Sequence, residues 1–265
     1  MLMTLLLYLV LGAFAGVAAG LFGIGGGLLI VPVLIFTFAA QGFPVEVLTH
    51  MAVATSLATI LVTSISSVRA HHKRGAVSWS LFRPLAVGIL FGAVLGVNTA
   101  VLLPGPTLQL IFGVFALLVA LQMGFNLQPP QSPAAPGTKE LAGAGGVIGW
   151  ASSIFGIGGG TLSVPYMTWR RQEMRVAVAT SAACGLPIAL MGTLTNVWLG
   201  WEQEALPEWT IGYVYLPAFL GIIISSAPCA KLGARWAHNL PQPVLKKCFA
   251  VFLLLVGLRF LFSNL

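Results

Sequence analysis

Residues 22–32 read FGIGGGLLIVP and residues 155–165 read FGIGGGTLSVP, identical at nine of eleven positions. Each copy holds three consecutive glycines. In a helix each glycine costs about 1 kcal/mol relative to alanine, so the chain should break inside both copies. A break leaves backbone amides and carbonyls without partners. In a bilayer that is tolerated only where protein buries them or where they line a polar cavity.

The rest of the chain indicates a bilayer. Of 265 residues, 58% are hydrophobic and 7% charged, and mean hydropathy is +0.96. Soluble domains carry about 25% charged residues. The expected class is all-α: a polytopic membrane helical bundle. Thirteen Lys and Arg against six Asp and Glu give a net charge of +7. The basic residues lie between apolar runs and form no patch with interleaved aromatics, so no nucleic-acid partner is expected. Cys184, Cys229 and Cys248 are far apart, lack a C-x-x-C, and read as inert core thiols with no disulfide or metal role. The first twenty residues have no basic leader. Gly12, Gly16 and Gly20 form a close-packing face on them, so they read as mature structure.

The doubled motif belongs to a longer repeat. Residue 155 lies 133 after residue 22, and Pro217 and Gly221 follow Pro84 and Gly88 at the same offset. AVATS at 52–56 returns at 177–181, and LPGPTLQLIFGVFALLVAL at 103–121 returns as LPQPVLKKCFAVFLLLVGL at 240–258. The expected organisation is a first repeat over 1–126, a proline-rich linker over 127–140 and a second repeat over 141–265, together one membrane domain. Apolar segments fall at about 3–21, 28–40, 49–68, 79–98 and 107–125, and again at about 141–155, 161–169, 176–198, 210–230 and 245–262. Those after the glycines are shorter than the roughly 20 residues a span needs. They read as broken helices or as one arm of a re-entrant hairpin.

Loop charge orients the repeats. RAHHKRG, with Arg69, Lys73 and Arg74, follows the third segment of the first half, and GWEQEALPEW, with Glu202, Glu204 and Glu208, follows the third segment of the second. The positive-inside bias places the first loop and the linker in the cytoplasm, the acidic loop outside, and both termini outside. The halves would then be inverted-topology repeats, a plan found among secondary transporters.

After each break a helix restarts, at Leu28 and at Thr161, with free N–H groups and a positive dipole end facing the break. Such an end suits an anion. Both motifs therefore read as halves of one midplane substrate site, with tight helix crossing as the alternative role for the glycines. A dinucleotide fingerprint does not fit, because Leu28 and Thr161 stand where its third glycine belongs. Pro32 and Pro165 would kink the restarted helices or free a carbonyl. Thr55, Ser56, Thr180 and Ser181 would either bond back to their own helices or donate to a bound oxyanion. Asn196 and Thr193 are further candidates, with weaker ones at Ser64, Ser66 and Ser67. His50 aligns with Arg175; an interfacial anchor is the first reading, a cationic rim the second. His71 and His72 read as solvated loop. No Asp or Glu lies inside an apolar segment, which argues against a cation substrate or a carboxylate proton relay. No H-E-x-x-H or G-x-S-x-G motif occurs, so neither an enzyme nor a cofactor is expected.

Two G-x-G-G-G motifs, each followed by V-P and by A-T-S on the next helix, resemble the TauE/SafE family, the sulfite exporter or sulfonate permease group. The resemblance covers nearly the whole chain. It implies an inner-membrane transporter of sulfite, sulfonates or related organosulfur or organic anions. It implies a site at Gly23, Gly25, Gly26 and Gly27 with Gly156, Gly158, Gly159 and Gly160, to which the reading above adds Thr161. Expected partners are a small anion and the lipid bilayer, with room for a homo-oligomer. An anion channel and a non-transporting assembly subunit are the alternatives.

Overall fold

The structure is a computed structural model that describes residues 2–22, 26–125, 136–237 and 242–264. The first half holds α1 (Leu2–Phe22), α2 (Gly27–Ala40), α3 (Val45–Lys73), α4 (Trp79–Val101) and α5 (Gly105–Gly124). The second holds α6 (Thr138–Phe155), α7 (Gly160–Trp169), α8 (Met174–Leu199), a hairpin of β1 (Thr210–Ile211) and β2 (Val214–Tyr215), α9 (Leu216–Ala237) and α10 (Gln242–Asn264). The helices match the apolar segments with one exception. The run expected from residue 210 starts as the hairpin, which turns at Gly212 with φ +53°, and its helix begins only at Leu216. Most of the 127–140 linker lies outside the described residues, and α6 begins inside it at Thr138.

Among the described residues, α3, α4, α5 and α8 are long and apolar enough to cross a bilayer. α3 and α8 are central, with 61% of the apolar stretch buried in each against 44% and 39% in α4 and α5. α2 and α7 have 14 and 10 residues. At 1.5 Å per residue they reach about 21 and 15 Å, short of a hydrocarbon layer of about 30 Å. Each turns back along the helix before it. Gln41, just after α2, donates to Tyr8 Oη on α1 at 2.7 Å. Tyr166 of α7 donates to Glu140 at the start of α6, and Arg170 pairs with the same carboxylate. The glycine motifs are thus the tips of two hairpins.

Equivalent helices of the two halves run antiparallel where they touch. In α3 and α8, Leu57 meets Gly192 and Ser64 meets Gly185. In α5 and α10, Gly113 meets Gly257 and Phe260, while Gly124 faces Ala250. The outer helices exchange partners and run parallel. Tyr8 and Gly12 of α1 pack on Gly221 and Ile222 of α9, and Gly88, Gly92 and Gly96 of α4 pack on Ala142, Gly146 and Trp150 of α6. The backbones touch along these seams because glycine has no side chain to hold them apart.

The basic loops share one face, where Arg175 Nη2 reaches the Arg74 carbonyl at 3.4 Å. On the opposite face Tyr213 lies under His50, and the Glu202–Glu208 loop projects with Trp198, Trp201 and Trp209 exposed beside it. Large apolar side chains are exposed along the helices between the faces, among them Phe14, Phe91, Leu95, Val147 and Leu255. That is the surface expected against lipid. We expect Gly92→Leu, whose side chain would fall on the Gly146 carbonyl, to cost about 3 kcal/mol of stability. Phe91→Leu, next to it on the lipid face, should change the melting temperature of the purified protein little.

Candidate functional site

The two glycine motifs meet. A methyl group on Gly27 would stand 2.7 Å from the Gly156 carbonyl oxygen and 2.8 Å from Ile157 Cα. Gly156 ends α6 in the left-handed conformation, φ 63° and ψ 31°, while the Ile157 N–H donates to the Ser152 carbonyl at 2.9 Å. Only glycine takes that conformation without strain. A side chain there would also strike Val31 Cγ2 and Val53 Cα, at 2.9 and 3.0 Å. Gly159 rests on α8, where a methyl would lie 2.5 Å from the Ser181 carbonyl. Gly158 is more open, with only Ile60 Cγ2 near it, at 3.5 Å. Gly23 and Gly25 lie outside the described residues.

From this meeting point α2 and α7 depart toward opposite faces, so their N-termini share the middle of the molecule. Gly26 O accepts from Leu29 N and Ile30 N, and Gly159 O accepts from Ser163 N. The amides of Gly27, Leu28, Gly160 and Thr161 precede the first full helical turn and have no intrahelical acceptor. Pro32 and Pro165 lie within α2 and α7, so the carbonyls of Leu28 and Thr161 also lack the N–H that would normally reach them. Each hairpin tip therefore presents bare peptide groups. Val31, Val53, Ile60 and Ile157 pack around the place where the tips touch.

The A-T-S residues divide by role. Ser56 donates to the Gly156 carbonyl at 2.8 Å and so ties the first repeat to the second tip. It lies 11 residues into α3, about 16 Å from that helix's start. Thr55 Oγ1 accepts from Tyr215 N, and Thr180 Oγ1 accepts from Ser78 N, both at 3.0 Å. Tyr215 and Ser78 immediately precede α9 and α4, so each threonine takes up a backbone N–H at the entry to the other half's fourth helix. This is a capping function, one that neither reading from sequence anticipated. Ser181 is 1% exposed and its hydroxyl has no partner. Thr161 Oγ1 is likewise unpaired.

Asn196 is not at the hairpin tips. It lies 11 residues beyond Gly185, about 16 Å along α8. Its amide donates to the Gly192 carbonyl at 2.8 Å, and its own carbonyl accepts from Gly200 N. Ser64 does approach the site, 3.0 Å from where a Gly185 Cβ would sit. His50 is buried, not an exposed anchor: its two ring nitrogens contact the Glu46 and Ala100 carbonyls at 3.1 and 3.0 Å, which joins α3 to the end of α4. Its counterpart Arg175 is exposed. Burial raises the pKa of the Tyr213 phenol beneath His50. Cys184 is buried, but Cys248 is exposed on α10, so the core-thiol reading fails there. Ser152, Ser153 and Ser163, which sequence reasoning passed over, flank the second tip. The signal was their appearance opposite Ala19, Gly20 and Ile30 in the repeat alignment.

A sequence family described as Sulfite exporter TauE/SafE matches residues 8–260. A probable membrane transporter protein of Haemophilus influenzae is 38% identical over 96% of this chain and 97% of its own. One of Methanocaldococcus jannaschii is 28% identical over 97% of this chain and 95% of its own. One of Bacillus subtilis, YunE, is 25% identical over 99% of both. No solved structure matches.

Ser56→Ala should leave the Gly156 carbonyl buried without its donor, a loss of about 1–3 kcal/mol. Thr55→Val and Thr180→Val should each cost about 1 kcal/mol, equally within error, because they remove equivalent caps. Thermal melts of the purified protein check all three.

Proposed function

Because this chain belongs to the TauE/SafE family and is a membrane transporter, we propose that it is a secondary transporter of a small anion. Sulfite, a sulfonate or another organosulfur or organic anion would bind between the two hairpin tips. The observation that carries this reading is the contact of Gly27 with the Gly156 carbonyl. Two breaks 133 residues apart in sequence come together, each with a helix N-terminus opening from it. The dipole ends favour an anion, and the apolar segments hold no Asp or Glu to repel one.

The antiparallel α3–α8 and α5–α10 seams support inverted-topology repeats. In the proposed cycle the two hairpins rock against the central pair, opening the tips first to one face and then to the other. The packing of Val31, Ile60 and Ile157 around the tips suits a closed state of that cycle. The basic face is assigned to the cytoplasm and the acidic face, with both termini, to the outside of the inner membrane.

Anion flux into proteoliposomes tests the site. Gly26→Leu and Gly159→Leu should abolish it while the protein still inserts. Gly158→Ala is the milder arm: its methyl meets only Ile60 at 3.5 Å, so it should fold as wild type and still lose at least tenfold in flux. Wild-type flux in all three would remove the tips from the mechanism. Orientation is tested separately. A cysteine in place of Glu204 in intact cells should react with an impermeant maleimide, and one in place of Arg74 should not.

A further inference from the structure

The transport reading above leaves open which side chains hold the anion, and this inference rests on that reading. Buried hydroxyls are paired as a rule, and inside a bilayer there is little water to stand in. A helical serine or threonine usually donates to a carbonyl one turn back, as Thr37, Thr168 and Ser225 do here. Ser152, Ser153, Ser163 and Ser181 do not. Each is at most 1% exposed; Ser152, Ser153 and Ser181 have no partner, and Ser163 has only the Cys184 thiol, a weak one.

Three of them, Ser152, Ser163 and Ser181, lie around one hinge; the Ser153 hydroxyl instead stands 3.4 Å from where a Gly192 Cβ would sit, about 16 Å along α8 from Ser181. Ser152 and Ser153 stand in the last turn of α6, just before Gly156. Ser163 opens α7 and lies beside the Cys184 thiol. Ser181 is on the α8 turn that Gly159 rests against. Thr161, between them at the start of α7, is unpaired as well. Two other hydroxyls are unpaired away from this hinge, Thr193 on α8 next to Gly192 and Ser226 on the α1–α9 seam.

The first repeat has no such set. At the motif's offset, Ser152, Ser153, Thr161 and Ser163 align with Ala19, Gly20, Leu28 and Ile30. Ser56, which aligns with Ser181, has already committed its hydroxyl to Gly156.

We infer that the anion is held asymmetrically. The second repeat supplies the side-chain donors, Ser152, Ser163 and Ser181, beside the first amides of α7. The first repeat supplies backbone and shape, with the Ser64 hydroxyl near the site. Neutral donors arriving from three helices suit an oxyanion with several oxygens, such as a sulfite or sulfonate head group, better than a halide. The unpaired hydroxyls are then the state of the site before its ligand arrives.

Calorimetric titration of the purified full chain with sulfite, methanesulfonate and chloride tests this. Wild type should bind the two oxyanions more tightly than chloride. The triple variant Ser152→Ala, Ser163→Ala, Ser181→Ala should lose at least tenfold in oxyanion affinity. Its melting temperature without ligand should hold or rise, because it deletes hydroxyls that have no partner or, for Ser163, only a weak thiol one. Ser225→Ala, at a hydroxyl already paired on α9, should bind as wild type. Triple-variant affinity within twofold of wild type overturns the asymmetric site and leaves the transport reading intact. A ligand-free melting temperature that falls in step with affinity overturns it too, since the serines would then be structural. If the triple variant does not fold, Ser163→Ala and Ser181→Ala are titrated singly, and unchanged affinity in both overturns it. Wild type that binds neither oxyanion removes both this inference and the reading beneath it.

Discussion

A peptide group inside hydrocarbon must find its partner within the protein, and this chain breaks off a helix between α1 and α2 and again between α6 and α7. The rest of the architecture follows from how those breaks are accommodated. Gly156 closes α6 by turning left-handed, so that Ile157 can bond back to Ser152. Its own carbonyl is taken by Ser56 of the other half. The entries to α4 and α9 are capped across the repeats in the same way, by Thr180 and Thr55. At these three places a backbone group of one half is satisfied by a side chain of the other.

Glycine does two different jobs in this arrangement. On the α1–α9 and α4–α6 seams it removes bulk so that two backbones touch. In lipid, where apolar burial drives helices together only weakly, such close packing is a main source of cohesion. At the hairpin tips it allows a chain direction and a closeness that other residues forbid, and it leaves peptide groups unclothed. The seams hold each short hairpin to long helices of the opposite half, so a hairpin that moves would carry its seam partner with it. A rocking motion about the central α3–α8 pair is the displacement this connectivity favours.

Much of this was legible in the residues. The repeat, the breaks and the placing of the basic loops apart from the acidic one all follow from Gly, Pro, Arg and Glu in an apolar chain. The partner exchange was not legible, because uniformly apolar helices carry no pattern that says which face meets which neighbour. The hairpin at 210–215 hid inside TIGYVY, a run as apolar as a helix start, and only the positive φ of Gly212 reveals the turn. Thr55 and Thr180 were singled out for the right reason, an isolated polar group in an apolar helix. Their partners, Tyr215 and Ser78, lie 160 and 102 residues away and could not be inferred. Asn196 stood out equally, yet its side chain bonds within its own helix, because the helix places it about three turns past the site.

The proposed site is neutral, and that bears on transport itself. A buried lysine or arginine would hold an anion strongly, but it would also stand as an uncompensated charge once the anion left, a costly state in low dielectric. Helix N-termini, bare amides and hydroxyls carry only partial charges. They stabilise a bound anion without leaving a full charge behind on release. A carrier must cross the membrane both loaded and empty, or exchange one ligand for another, so a site that tolerates vacancy has an advantage over one that binds more tightly. The long-range attraction can come from elsewhere. Lys73, Arg74, Arg170, Arg171 and Arg175 sit at the ends of α3, α7 and α8 and in the turns beside them, where they raise the local concentration of anions at the basic face and play no part in holding one at the centre.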